Sequence, residues 1–188
     1  MKIGILALQG AFAVHEEMLQ SLGAETVQVR TNQDLKSVDA LVMPGGESTT
    51  MSHLLNTSQL FDPIAERIDN AMPVFGTCAG MILLAKSIAG GRPDQRFYGA
   101  IDIDVERNAY GRQVESFETE LKVEGLQSPF HAMFIRAPQV SRIGSNVEVL
   151  SMHEDKVVLA RQGSVMVASF HPELTSDNRI HSLFLQEV

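Results

Sequence analysis

The sequence predicts an α/β protein of three layers, built on a mixed and mainly parallel central sheet. Two patterns predict it. In the first half, short apolar runs alternate with segments of helical spacing, as expected when parallel strands are covered on both faces. In the second half, strand-like runs follow one another, and tight turns join the last three, which makes that part antiparallel. The 188 residues suffice for one domain, 1–188, with a sizeable core. No repeat, low-complexity tract or linker interrupts them.

Ile3–Leu8 is apolar apart from Gly4 and reads as the first buried strand. Phe12, His15, Met18, Leu19 and Leu22 then recur at helical spacing, and Gly23 is placed to end that helix. Glu25–Arg30 and Val38–Met43 read as strands, Glu47–Leu55 and Phe61–Asn70 as helices, and Met72–Phe75 as another buried strand. Met51, Leu54 and Leu55 fall at helical spacing and read as packing residues. Ala79–Ser87 reads as helix until Gly90-Gly91-Arg92-Pro93 breaks it. Ala100–Val105, Val114–Leu121, His131–Ile135, Val147–Ser151, Lys156–Arg161 and Ser164–Phe170 are strand-like, with turns at Glu154-Asp155 and Gln162-Gly163. Ser176–Leu185 is an amphipathic helix with Ile180, Leu183 and Phe184 on one side.

Bulk properties exclude some classes. The formal charge is −8, from 15 basic and 23 acidic residues, and no Lys/Arg-rich run occurs. A non-specific grip on nucleic acid or on an anionic membrane needs clustered positive charge, so neither partner is expected. No apolar run approaches the length of a membrane span. MKIGILALQG has the charge-then-apolar order of a secretory leader, but Gln9 and Gly10 interrupt it, and it reads as a strand of a cytoplasmic protein. The single cysteine, Cys78, permits no internal disulfide.

Cys78 has a suggestive setting. Gly76-Thr77-Cys78-Ala79-Gly80 joins a buried strand to a helix, and glycines two residues either side allow a tight turn with room around the thiol. This is the pattern of a nucleophile elbow with cysteine in place of serine. A helix N-terminus offers free amides and a positive dipole end, favouring first a thiolate and then an oxyanion. Of the six histidines, His171 stands in Phe170-His171-Pro172-Glu173 directly after an apolar strand. In an extended segment Glu173 returns to the same side as His171 and can fix its tautomer, which gives nucleophile, base and orienter in the order Cys78, His171, Glu173. Blander readings exist. A lone cysteine is commonly a small buried hydrophobe, and a His-Pro-Glu stretch alone fits a turn with a capping carboxylate. No cluster supplies the three or four ligands that zinc needs.

Pro44-Gly45-Gly46-Glu47-Ser48-Thr49-Thr50 follows the third strand and can bring amides into the same carboxyl-end crevice. It lacks both common nucleotide-phosphate patterns. Read structurally, it is a turn with an N-cap at Ser48.

Six segments together, Ala7–Ala11, Pro44–Thr49, Gly76–Gly80, Arg107–Gln113, Phe134–Pro138 and Phe170–Glu173, resemble the class I, or triad, glutamine amidotransferase family. Within it they resemble the glutaminase subunits of pyridoxal 5′-phosphate synthases, from Lys2 to the final helix. The resemblance implies a three-layer, flavodoxin-like fold and hydrolysis of L-glutamine to glutamate and ammonia through a thioester on Cys78. His171 and Glu173 complete the triad, and the backbone amides of Gly46 and Ala79 form the oxyanion hole. Gly46, Glu47, Ser48, Arg107, Ile135 and Arg136 are implied to bind glutamine. For Arg107 and Arg136 this suits the bidentate match of guanidinium to an α-carboxylate; alone, each arginine reads as a surface or structural residue. The family also implies a (β/α)₈-barrel synthase subunit as partner in a large hetero-oligomer, with docking sensed near Gln9 and Gly10. No cofactor is expected on this chain.

Three other readings stay open: the glutaminase of another synthase, such as that of imidazole glycerol phosphate; a cysteine hydrolase on the same fold; and a non-catalytic regulatory partner. Arg107–Gln113 favours the pyridoxal-type subunit over the first, and Pro44–Thr49 favours a glutaminase over the second.

Overall fold

A computed structural model describes residues 1–107 and 116–188 of the chain. In order, these form β1 (Lys2–Leu6), α1 (Phe12–Ser21), β2 (Glu25–Val29), α2 (Asn32–Lys36), β3 (Ala40–Met43), α3 (Ser48–Thr57), α4 (Phe61–Asp69), β4 (Val74–Thr77) and α5 (Ala79–Leu84). Then follow β5 (Ala85–Ala89), β6 (Ile101–Glu106), β7 (Phe117–Leu121), β8 (Phe130–Phe134), β9 (Gln139–Ile143), β10 (Glu148–His153), β11 (Lys156–Gln162), β12 (Val165–Ala168) and α6 (Arg179–Leu185).

The two-residue period of a strand divides the apolar side chains between two cores. Leu41, Met43 and Val74 face the side where Met51, Leu55, Ile64 and Leu83 of α3, α4 and α5 pack. Ala40, Val42 and Phe75, their sequence neighbours, face the side of Leu19, Ile180 and Phe184 from α1 and α6. The strands between are therefore apolar on both faces, which is why they read as continuous apolar runs. Each fully buried leucine or phenylalanine contributes about 1.5–3 kcal/mol, and Leu55→Ala is expected to cost about 2–5 kcal/mol.

The main sheet has seven strands in the order β10-β11-β12-β4-β3-β1-β2. From β12 to β2 every pairing is parallel, whereas β10 and β11 pair antiparallel. The turns expected at Glu154-Asp155 and Gln162-Gly163 join these last strands, with positive φ at Glu154 (52°) and Gly163 (56°). The mixed, mainly parallel sheet of the sequence reading is thus the one found. Strands β5, β6 and β9 form a second sheet, and β7 pairs with β8 in a hairpin.

Several elements differ from expectation. The helix expected to run to Ser87 ends at Leu84, and Ala85–Ala89 is a strand paired with β6. Lys86 and Ser87 are exposed there, so only the pairing, and not burial, marks the change. Asn32–Lys36 is an unforeseen helix closed by a capping box between Thr31 and Asp34. Strand β9 was also unforeseen. The final helix starts at Arg179 instead of Ser176. Pro172–Leu174, expected to be extended, is a short 3-10 helix, so a helical turn and not strand alternation brings Glu173 beside His171. The expected start of a strand at Val114 lies outside the described residues. No described helix is long and apolar enough to cross a membrane.

Candidate active site

In a parallel sheet the carboxyl ends of neighbouring strands share one edge, and ligands bind there. Here β12, β4, β3 and β1 are successive neighbours. The segments leaving their carboxyl ends carry His171, Cys78, Gly46 and Gln9 respectively. These four residues line one cavity of about 390 Å³ together with Glu47, Ser48, Ile82, Arg107, Ile135, Arg136 and Pro138. Nine of the residues singled out in the sequence therefore meet in one place.

The turn from β4 to α5 explains the glycine bracket. Its amide N–H tied to the Ala168 carbonyl at 2.8 Å, Cys78 adopts φ 48° and ψ −101°, a conformation that a side chain makes costly. A Cβ on Gly80 would stand 2.1 Å from the carbonyl oxygen of Met43, so the helix can approach β3 this closely only with glycine there. Ala79 is the first residue of α5, where backbone N–H groups have no acceptor within the helix.

His171 Nδ1–H donates to Glu173 Oε1 at 2.7 Å. The other ring nitrogen is left for the Cys78 thiol, which lines the same cavity as the imidazole. Burial pushes the His171 imidazole down, but hydrogen bonds with Cys78 and Glu173, and the charge of each, outweigh it and raise it to about 10. A cationic imidazole at this spot is the partner that a thiolate nucleophile needs. Glu173 is 1 % exposed and lies behind His171, away from the cavity. Burial pulls its carboxyl up, yet the electrostatic influence of the neighbouring His15 and the hydrogen bond and charge of His171 hold it below the ordinary range.

The loop after β3 corrects one expectation. The N-cap of α3 is Glu47, whose carboxylate accepts from the amides of Thr49 (3.0 Å) and Thr50 (2.6 Å). Ser48 is instead the first helical residue, buried, with an Oγ that has no hydrogen-bond partner among the described residues. Glutamate wins because its longer side chain reaches back over the first turn. Partial burial pulls Glu47 up, but these donors and the Thr50 hydroxyl hold it down at about 2.

Gln9 and Gly10 touch this loop. The Gln9 side-chain oxygen accepts from the Glu47 amide at 3.2 Å. Gly10 has φ 90°, and a Cβ there would stand 1.8 Å from the carbonyl oxygen of Gly45. Arg107 is already engaged: it donates to Thr49 Oγ1 at 2.6 Å, Gln95 Oε1 at 3.0 Å and Glu47 Oε1 at 2.7 Å. Arg136, at φ 47°, has no ion pair or side-chain hydrogen bond among the described residues. Asn108–Gln113 of the arginine-led segment lie outside them. Thr49, Gln95, Ile82 and Pro138 were not foreseen as site residues. Thr49 and Pro138 lie within segments that the sequence marks and Ile82 one helical turn after Cys78, whereas Gln95 meets the site only through tertiary contact, for which local sequence carries no signal.

Fold and site define a class: an α/β protein whose cysteine elbow is backed by a histidine and a glutamate at the carboxyl edge of a parallel sheet. The model of the SNO glutamine amidotransferase family matches residues 5–188, and the chain belongs to that family. It is 52% identical over 189 residues to the pyridoxal 5′-phosphate synthase subunit PdxT of Desulforamulus reducens, covering 100% of both chains. To the protein of the same name from Herpetosiphon aurantiacus it is 55% identical, over 98% of this chain and 99% of the relative. A solved glutamine amidotransferase superposes with a TM-score of 0.93 at 50% identity, over 98% of this chain and 97% of that one. PurLQS from Thermotoga maritima shares the fold, with a TM-score of 0.74 at 12% identity over 98% and 97% of the two chains.

Proposed function

We propose that this chain is the glutaminase subunit of a pyridoxal 5′-phosphate synthase, hydrolysing L-glutamine to L-glutamate and ammonia. The observation that carries the reading is the cavity shared by Cys78 and His171, with Glu173 bonded to the far side of the imidazole at 2.7 Å. Family membership and full-length similarity to proteins named PdxT support it.

In this mechanism the Cys78 sulfur attacks the side-chain amide carbon, and the resulting oxyanion faces the amides of Gly46 and Ala79. As the C–N bond breaks, His171 gives its Nε2 proton to the leaving nitrogen, and ammonia departs. Water then attacks the thioester with His171 as base. The C–S bond breaks, glutamate leaves, and the thiolate–imidazolium pair returns. Glu173 keeps the imidazole oriented throughout. The free guanidinium of Arg136 takes the α-carboxylate of glutamine, while Arg107 holds the Glu47 loop in place, with Ser48 and Ile135 as further walls of the pocket. Ammonia passes to a (β/α)₈-barrel synthase subunit in a hetero-oligomer, the Gln9–Gly10 turn lying where docking can act on the oxyanion loop. The cofactor product is made by that partner, so this chain is assigned none, and a cytoplasmic setting suits the exchange.

Glutamate release from glutamine, measured with and without the synthase subunit, tests this for the wild type and Cys78→Ala. Stimulated release that disappears in Cys78→Ala is expected. Release that survives the substitution rules out the cysteine mechanism, and stimulation only by another synthase reassigns the partner.

A further inference from the structure

Behind the triad, on the side away from the cavity, lies a polar cluster that the mechanism above does not use. His15 of α1 and His181 of α6 are both wholly buried, although the chain separates them by 166 residues. His15 Nδ1 lies 2.8 Å from His181 Nε2. His15 Nε2 lies 3.2 Å from Thr77 Oγ1 and 3.4 Å from Glu173 Oε2. Phe75 stands edge-on to both rings, at interplanar angles of 87° to His15 and 83° to His181. Glu173 gives Oε1 to His171, while its Oε2 is buried and makes no hydrogen bond of ordinary geometry among the described residues. A buried anionic oxygen needs a compensating group, and His15 is the one beside it.

Counting protons gives the cluster one consistent arrangement. An ionised carboxylate only accepts, so the His15 nitrogen facing Glu173 and Thr77 must carry the hydrogen. A neutral His15 then has a bare Nδ1, which accepts from His181 Nε2–H. That leaves His181 Nδ1 bare, and this is the His181 atom that finds no partner among the described residues. The reverse arrangement would bury an N–H with no acceptor and aim a lone pair at the carboxylate. Burial lowers both imidazoles, which keeps them neutral; Glu173 opposes this for His15 to a smaller extent, and His171 adds to it. The titratable groups facing His15 are His181 from α6 and, from the segment after β12, Glu173 with His171 beyond it. Thr77 and Phe75 of β4 add no charge.

We propose that His15, set in its Nε2–H tautomer by His181, is a positioning residue for the triad: it faces the second oxygen of Glu173 and keeps that carboxylate ionised and turned toward His171. The proposal rests on the glutaminase reading of Cys78, His171 and Glu173.

Its test compares wild type with His15→Leu, His15→Gln and His181→Leu in four measurements. These are glutamate release with the synthase against pH, Cys78 alkylation by iodoacetamide against pH, imidazole nitrogen NMR, and thermal melting. His15→Leu is expected to lower kcat about tenfold or more, within the contribution of general acid–base catalysis, at nearly unchanged KM. Without His15, Glu173 takes up a proton at higher pH, so the acid limbs of both kcat and alkylation should move upward. His15→Gln, which keeps an N–H at similar reach, should recover most of the rate, and His181→Leu should fall between. NMR of the wild type should show a neutral His15 protonated at Nε2. A lower melting temperature for His15→Leu with unmoved kcat and acid limbs would reduce His15 to a packing residue, and a His15 that is charged or protonated at Nδ1 would overturn the proposal even if no variant folds. If wild type releases no glutamate with the synthase, the proposed partner or the glutaminase reading fails, and the alkylation limb still decides whether His15 acts through Glu173 on the thiol.

Discussion

Arg107 Nη2 donates to Glu47 Oε1 at 2.7 Å, joining two residues sixty positions apart that the family resemblance implies as glutamine contacts. The same guanidinium also holds Thr49 and Gln95. Its donors are directed into the protein, and Glu47 in turn is engaged by the first amides of α3. Of the two cavity arginines, only Arg136 has its guanidinium unpaired among the described residues.

The two arginines should therefore separate in kinetics. Arg136→Met is expected to raise KM for glutamine about tenfold or more at similar kcat, as for loss of a charged hydrogen bond worth about 1.5–3 kcal/mol. Arg107→Met should lower the melting temperature and reduce kcat, because the loop carrying Gly46 loses its anchor. Steady-state kinetics with parallel melts checks both; equal KM effects would mean that Arg107 leaves Glu47 to meet substrate.

Strain at the elbow makes a stability prediction. Cys78 sits at φ 48°, where glycine is tolerated and a side chain is not. Both Cys78→Ala and Cys78→Gly should lack turnover, but the glycine variant should be the more stable of the two by about 1 kcal/mol. Denaturant titration of the pair reads this directly.

Gly10→Ala should act at a distance of one loop. Its new methyl would meet the Gly45 carbonyl at 1.8 Å, and backbone cannot yield as a side-chain tip does. Glutamate release should drop sharply while iodoacetamide still labels Cys78 at the wild-type rate. Unchanged release would show that the Pro44–Glu47 loop can shift without consequence.

Glu47 predicts a pH dependence. Its folded value of about 2 lies below the ordinary 4.5, so its contribution to stability is fully present above 4.5 and is lost as pH falls toward 2. Glu47→Gln should melt below wild type at pH 7, and the gap should close between pH 4.5 and 2. A gap that stays constant over that range would remove the ionised cap as its cause.

Much of this architecture is legible in local sequence, and the exceptions share a cause. The buried parallel strands, the glycine-bracketed Cys78 and the His171-Pro172-Glu173 segment each carry their signal within a few residues. Ala85–Ala89 does not: it continues an apolar run in residues that suit a helix, and only pairing with β6 makes it a strand. The Ser48 cap is misread because serine is a favoured N-cap and glutamate is not, whereas here the longer Glu47 side chain reaches the Thr49 and Thr50 amides. His15 looks like one more residue on the buried stripe of α1. Its contacts with Thr77, Glu173 and His181 come from three other segments, which no spacing rule connects.

The row of strand tips has a further consequence. Adjacent strands lie about 4.8 Å apart, so His171, Cys78, Gly46 and Gln9 leave the sheet like successive marks on a ruler. The sulfur and the imidazole stand on neighbouring marks, on strands flanked on both sides, so their spacing changes only if the middle of the sheet shears. Gln9 stands two marks from Cys78, with the Gly46 loop between them. Under the proposed mechanism, a partner pressing on the Gln9 mark can thus shift the Gly46 amide while the gap between Cys78 and His171 stays as the ruler cut it.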